Sequence, residues 1–298
     1  MSAVPKISVG MPIYNSAATI GASIESLLGQ SFGNFELIIS DNASTDATRE
    51  VVEAYRQRDG RIRYERQPFN IGANPNYTYL VRLARGEFFK WSSSSDWCAP
   101  SFLERCLAEL VAHDDTVLVV PRTRLFRNNP DSSEDYPSDI EILDDLPSAR
   151  LQRLISTMDL NNAMNGLIRT SALRRTRLID PYMSADVVLM GHLALLGKFR
   201  LLNERLFYRR MEPATATSLQ DPAAVRKHHY PQMGPGALFQ GGKQQLGWVR
   251  AALSAPMSLG ERMRSLVHVA KICYWHRADY TQDLRGVWQY LARRSHPD

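Results

Sequence analysis

Phe88-Phe89-Lys90-Trp91-Ser92-Ser93-Ser94-Ser95-Asp96-Trp97-Cys98-Ala99-Pro100 is an apolar strand that stops at four consecutive hydroxyl side chains and one carboxylate. Such a change of character marks a strand end built to hold something polar. Two upstream stretches have the same form: Ile7-Ser8-Val9-Gly10-Met11-Pro12-Ile13-Tyr14-Asn15 and Phe35-Glu36-Leu37-Ile38-Ile39-Ser40-Asp41-Asn42-Ala43-Ser44-Thr45-Asp46, each followed by a helical pattern. In open α/β sheets ligands bind outside the carboxyl ends of the strands, so three such ends can converge on one small molecule. The expectation is a nucleotide-dependent enzyme.

Working outward, the pattern predicts strands at Ile7 to Met11, Phe35 to Ser40, Ile62 to Arg66 and Glu87 to Trp91, with helices at Ala17 to Leu28, Asp46 to Arg58 and Asn76 to Ala84. A helix from Pro100 to Ala112 then leads into a fifth strand, Val117 to Val120. This alternation favours an α/β fold with a mostly parallel central sheet flanked by helices. Neither a G-x-G-x-x-G run nor a Walker A glycine run occurs, so acidic residues with a metal, or basic side chains, must hold any phosphates. Residues 127 to 145 are rich in Asp, Ser, Asn and Pro and predict a long exposed loop or lid. Beyond it, Leu151 to Met158 and Val187 to Leu196 read as helices, and Asn165 to Arg169 and Phe199 to Arg210 as strands.

The chain has 298 residues, 44% hydrophobic and 22% charged, enough to bury a full core. No apolar run approaches the roughly 20 residues that span a bilayer, and Met1 to Lys6 lacks a secretory pattern, so a cytoplasmic location is expected. Cys98, Cys106 and Cys273 stand at no metal-ligand spacing, and a reducing compartment fits them. The net charge of +5 is concentrated from Arg250 onward, where eight Lys/Arg face four Asp/Glu. No basic stripe interleaved with aromatics runs through the first half, which argues against nucleic acid and for an anionic membrane or acidic acceptor. From Ser258 onward an apolar helical face admits two readings: docking on the inner face of an anionic plasma membrane, or packing on the rest of the protein.

The succession Met11-Pro12-Ile13-Tyr14-Asn15, Ile39-Ser40-Asp41-Asn42-Ala43-Ser44-Thr45-Asp46, Asn70-Ile71-Gly72 with Asn76, and Ala84-Arg85-Gly86-Glu87-Phe88 resembles the inverting glycosyltransferases of family 2. The resemblance spans roughly Ile7 to Leu219 and weakens between Arg127 and Asp159. It implies a GT-A fold over residues 1–219, with a nucleotide-binding half to 121, an acceptor and catalytic half from 122, and a helical extension over 220–298. It further implies transfer of a sugar from a nucleoside diphosphate, UDP favoured, to a hydroxyl of a glycan or lipid-linked acceptor in surface polysaccharide or glycoconjugate synthesis.

Carried onto this sequence, the resemblance gives Pro12, Ile13, Tyr14, Asp41, Asn70, Gly72 and Asn76 to the donor nucleotide, with Ser94 and Ser95 beside it. Asp96 ends the segment that in such enzymes binds a divalent metal, Mg²⁺ or Mn²⁺, bridging the diphosphate. Ser94 and Ser95 stand where acids are usual. Asp186, in Ser184-Ala185-Asp186, takes the place of the general base; Arg209 and Arg210 would neutralise diphosphate. Glu212 lies near the usual position of a histidine and is a second metal candidate. The bland readings stand beside these. Asp41 can cap the turn that follows it, Asp186 can be a helix N-cap, and Trp91 and Trp97 suit packing. Two other functions stay open: a non-catalytic nucleotide-sugar-binding partner of an active transferase, which the serines for acids favour, and a nucleotidyltransferase, against which Met11 to Ala18 has no Lys or Arg.

Overall fold

All seven residues of β2 (Phe35–Asp41) are buried, as a central strand covered on both faces requires. A computed structural model describes residues 4–211 and 240–275. Its sheet begins with β1 (Ile7–Ile13), β2, β3 (Ile62–Arg66) and β4 (Phe88–Trp91), joined by helices α1 (Ile20–Leu28), α2 (Thr48–Arg56) and α3 (Ala73–Leu83). β1 pairs in parallel with β2 on one side and β4 on the other, and β2 with β3. Alternate side chains feed two cores. Leu37, Ile39 and Phe88 join Ile20, Ile24 and Leu27 of α1 on one face, whereas Ile38, Phe89 and Trp91 join Leu80 of α3 on the other.

The second half adds β5 (Trp97–Cys98), α4 (Phe102–Ala112), β6 (Thr116–Phe126), β7 (Glu134–Asp135), α5 (Pro147–Thr157), β8 (Leu167–Arg169), α6 (Thr170–Leu173), α7 (Ala185–Leu196) and β9 (Lys198–Arg210). The strand order is β3-β2-β1-β4-β8-β6-β9-β5, with β7 on β6. β8 runs antiparallel between β4 and β6, so the sheet is mixed. β6 runs past the expected end at Val120 to Phe126, because its pairing with β9 slips register at Pro121, where the missing N–H is tolerated. Residues 127–145 are not the free lid that their composition suggests. β7 pins them to Arg124 and Leu125, Ile140 and Ile142 are buried, and Ile142 bridges Phe199.

Three details of this frame set the strand ends in place. Gln30 donates to the carbonyl of Ala99 (2.8 Å) and accepts from the Leu103 N–H (3.0 Å), tying the segment after Asp96 to α1. Trp97 and Cys98 pair with Tyr208 and Phe207, which lays the end of β9 beside Asp96. The Trp97 ring meets Tyr208 edge-on at 4.7 Å, and Trp91 is 1% exposed against Phe89, so both tryptophans pack.

Two further helices, α8 (Gln240–Ser254) and α9 (Leu259–Trp275), cover α5 and α7. The α7–α8 crossing is close because both helices present glycine. A Cβ on Gly191 would fall 2.0 Å from the Trp248 ring, and one on Gly247 2.1 Å from the Tyr182 hydroxyl. Trp248 is itself buried in the core. Gly191→Ala is therefore expected to lower stability by about 1–3 kcal/mol, the range for overpacking, read as a drop in the denaturation midpoint. An unchanged midpoint would show that the crossing tolerates a wider spacing.

Candidate functional site

β1 and β2 end level with each other: Pro12 pairs with Ser40 and Ile13 with Asp41, so Tyr14 and Asn42 leave the sheet side by side. β4 ends three residues earlier, where Trp91 pairs with Gly10, so Ser92 turns away below them. The loops that follow are tied together by short polar side chains. The Asn15 N–H donates to Ser44 Oγ (2.9 Å), Asn15 Oδ1 accepts from the Thr45 N–H (2.8 Å), and the Ser16 N–H donates to Thr48 Oγ1 (2.7 Å). Asn15 and Ala43 both have left-handed backbones, at φ 48° and 62°. Asparagine accepts that conformation more readily than most residues, whereas alanine takes it because the turn is held from both sides.

Asp41 is enclosed. Its Oδ1 accepts from the Ser44 N–H (2.8 Å) and its Oδ2 from the Tyr64 hydroxyl (2.6 Å), with Arg66 Nε at 3.4 Å. Burial, and then the bond to Asp41, raise the Tyr64 phenol above its ordinary range, so it remains a donor. The capping reading of Asp41 thus holds for one oxygen. Its other oxygen is held by the Tyr64 hydroxyl beside the half-exposed Arg66, and the side chain is fully buried.

Of the other expected nucleotide contacts, Tyr14 is exposed at the β1 end, and Pro12 and Ile13 lie in the strand behind it. Asn70 and Gly72 form the entry to α3: the Gly72 N–H donates to Asn70 Oδ1 (2.9 Å), and Gly72 has φ 89°, which glycine takes without strain. Asn70 also accepts from Asn42 Nδ2 (2.8 Å). Asn76 is 2% exposed, and its amide faces Ser40, donating to the carbonyl (2.9 Å) and accepting from the hydroxyl (2.6 Å). The structure gives Asn76 the task of fixing the end of β2 from below.

A second group of side chains gathers around Asp96. Its carboxylate is 7% exposed, and Oδ1 accepts the Arg210 backbone N–H at 2.9 Å. Burial raises its pKa, opposed by the Arg210 N–H and by the charges of Arg209, Lys90 and Arg210. Lys90 is fully buried in β4, donating to the carbonyls of Trp91 (2.9 Å) and Asn165 (2.7 Å) and lying over the Phe102 ring at 4.5 Å. The sequence signal for it was a lysine inside an otherwise apolar strand, and its role passed unnoticed.

Asp186 stands in the first turn of α7, where Oδ2 accepts from Asn161 Nδ2 at 2.9 Å. Arg209 donates to Asn162 Oδ1 (2.6 Å), so neighbouring asparagines hold the base candidate and one of the arginines. Tyr77 feels the charge of these groups. Its phenol is pushed up to about 12 by burial and by the charges of Asp96 and Asp186, with Arg209 opposing. The sequence reading gave no role to Tyr77, Asn161 or Asn162, none of which stands in a recognisable motif.

Ser94 Oγ donates to Ser16 Oγ (2.9 Å), while the Ser93 and Ser95 hydroxyls lie 3.0 Å apart. The donor set for a divalent cation is accordingly one carboxylate with neutral hydroxyls. Among the described residues no three His, Cys, Asp or Glu side chains gather as a metal site. Glu212 lies outside the described residues. One carboxylate fits a hard cation only when diphosphate oxygens complete its shell.

Among the described residues no helix is long and apolar enough to cross a membrane. Staphylococcus aureus TarS in complex with UDP superposes with a TM-score of 0.58 at 17% identity, covering 92% of each chain, a likeness of fold. The mannosyltransferase PcManGT from Pyrobaculum calidifontis, in complex with GDP-Man and Mn²⁺, matches at a TM-score of 0.53 and 15% identity over 95% of this chain and 85% of that one. In sequence, EpsH of Bacillus subtilis is 34% identical over 116 residues, 39% of this chain and 33% of that protein. The chondroitin synthase of Pasteurella multocida is 28% identical over 236 residues, 76% of this chain and 23% of that protein. The chain thus spans a third or less of the length of either relative. The family model described as Glycosyl transferase family 2 matches residues 8–179, more than half of the chain, over the strand ends and loops described above, and with the GT-A arrangement of the sheet this places the protein in glycosyl transferase family 2.

Proposed function

We propose that the protein transfers a glycosyl group from a nucleoside diphosphate sugar, UDP favoured, to an acceptor hydroxyl with inversion at the anomeric carbon, in the synthesis of a surface polysaccharide or glycoconjugate. The observation that carries this reading is that adjacent Asn161 and Asn162 hold Asp186 and Arg209, while Asp96 beyond the β4 end accepts the N–H of the next residue, Arg210. It puts an anion-neutralising side and a base side within one electrostatic neighbourhood. The UDP complex of TarS and the synthase relatives support the donor and product class.

In this mechanism Asp186, oriented by Asn161, removes the acceptor hydroxyl proton as that oxygen attacks the anomeric carbon. The bond from that carbon to the diphosphate oxygen breaks on the opposite face, so one displacement inverts the configuration. Arg209 and Arg210 meet the charge that develops on the leaving diphosphate. Asp96, with Glu212 as a second candidate, would hold a divalent cation that supplies further neutralisation when bound. Asp186→Asn is expected to keep donor affinity and lower turnover by on the order of 10²–10⁴, measured with radiolabelled donor and including slow donor hydrolysis. Turnover near the wild-type value would remove Asp186 from the base role.

Asp41 suits the imide N–H of uracil once Oδ2, now held by the Tyr64 hydroxyl beside Arg66, is opened to the donor. Asp41→Asn keeps an acceptor for the Ser44 N–H but offers an N–H toward the base. It should weaken UDP binding by about 1.5–3 kcal/mol in calorimetry, whereas Tyr64→Phe, which frees Oδ2, should leave binding equal or tighter. Weaker binding in Tyr64→Phe with no change in Asp41→Asn would reverse the assignment.

The buried carboxyl of Asp96 also makes a stability prediction. Its folded pKa is raised by burial, so the folded state favours the protonated form. Stability is lost as pH rises through the unfolded value of about 3.9 and on through the folded value. Asp96→Asn, which can still accept the Arg210 N–H, is expected to melt higher than wild type at pH 7. That advantage should vanish at about pH 4 and below, while donor-dependent metal binding is lost. A lower melting temperature at pH 7 would show that the neighbouring cations outweigh burial.

A further inference from the structure

Helix α9 is packed the wrong way round for a helix that belongs wholly to a soluble core. The face turned inward buries Glu261, Ser265, Val269 and Ile272, two of them polar. Glu261 accepts the Ser148 N–H at 2.9 Å and pairs with Arg264, fixing this orientation. The apolar stripe at helical spacing, Leu259, Met263, Val267 and Tyr274, is left outside at 73%, 54%, 51% and 63% exposure, with Ala270 between and Trp275 beside it. An amphipathic helix ordinarily buries such a stripe. Contiguous exposed apolar surface of this kind marks a place where something docks.

The charge around the stripe selects the occupant. Residues 240–275 carry five Lys/Arg, namely Lys243, Arg250, Arg262, Arg264 and Lys271, and one carboxylate, Glu261, which is the buried one. At 100° per residue, Arg264 and Lys271 flank one side of the stripe and Arg262 the other. A second copy of this chain meeting the stripe about a two-fold axis would bring these basic flanks against each other, which is repulsive. An anionic surface with an apolar interior complements both features. The aromatic pair Tyr274 and Trp275 adds amphipathic rings of the kind that sit at a membrane–water boundary.

We propose that α9 lies in the interface of an anionic lipid bilayer, with Leu259, Met263, Val267 and Tyr274 in the headgroup–acyl boundary and the exposed Arg264 and Lys271 against acidic headgroups. The surface uses none of the residues assigned to the donor or the base, so its test needs no turnover. The 298-residue chain is floated with phosphatidylcholine vesicles with and without phosphatidylglycerol, at low and high salt. Binding is expected with the anionic vesicles, with loss at high salt. Lys271→Glu should weaken partitioning by about tenfold, and Met263→Ser with Val267→Ser should abolish it; both variants should keep the wild-type melting temperature, because these side chains are exposed. Absence of wild-type flotation overturns the proposal, as does equal flotation on uncharged vesicles. A wild-type dimer that the double serine variant converts to monomer, without vesicle binding, would assign the stripe to a second copy and overturn it as well.

Discussion

A carboxylate enclosed at a strand end imposes conditions on everything around it, because burial without partners strongly disfavours its charged form. Asp96 meets those conditions through parts of the chain that are far apart in sequence. Lys90 contributes from within β4, Arg209 and Arg210 from the end of β9, and the Arg210 backbone N–H gives the direct bond. That bond requires β5 and β9 to pair, β9 to lie along β6, and β6 to follow β8 onto β4. The mixed second half of the sheet is, in this sense, the structure that delivers cations and an N–H to one strand end.

Hydroxyls in place of acids give the lining an unusual character. Ser94 bonds to Ser16 across the β1 and β4 loops and Ser93 to Ser95 within the latter, and they hold the loops without adding charge. On the β4 side the negative charge thus comes from Asp96 and Asp186, with Arg209 opposing both near Tyr77. A lining of this kind leaves the field near the strand ends less negative than one with additional carboxylates would be, which favours an anionic ligand arriving with its own charge.

Amides do comparable work on the nucleotide side. Asn15 joins the β1 and β2 loops, Asn42 and Asn70 join the β2 loop to the start of α3, and Asn76 grips Ser40 from within α3. Carboxamides suit this task because each offers donors and an acceptor in one plane, so a loop without regular secondary structure can still satisfy its backbone. Asn161 and Asn162 repeat the device on the other side, aligning Asp186 and Arg209.

Local periodicity made the strands and helices of the first half legible: β1, β2 and β4 are short apolar runs ending in polar residues, and the helices after β1, β2 and β3 follow a 3.6-residue spacing. The family resemblance gives expected roles to Asp41 and Asp96 through motifs at those strand ends, and to Asp186 through the segment Ser184-Ala185-Asp186. These signals depend on residues a few positions apart, which a sequence displays directly. Long-range placement is of another kind. That Asn76 turns inward to Ser40, that residues 127–145 are pinned by β7 and Ile142, and that Tyr64 covers Asp41 all depend on which surfaces meet across the sheet. The same holds for α9, where the sequence showed an apolar face without saying which way it would point. The bond from Glu261 to Ser148, 113 residues away, and the burial of Val269 and Ile272 beside it turn that face outward.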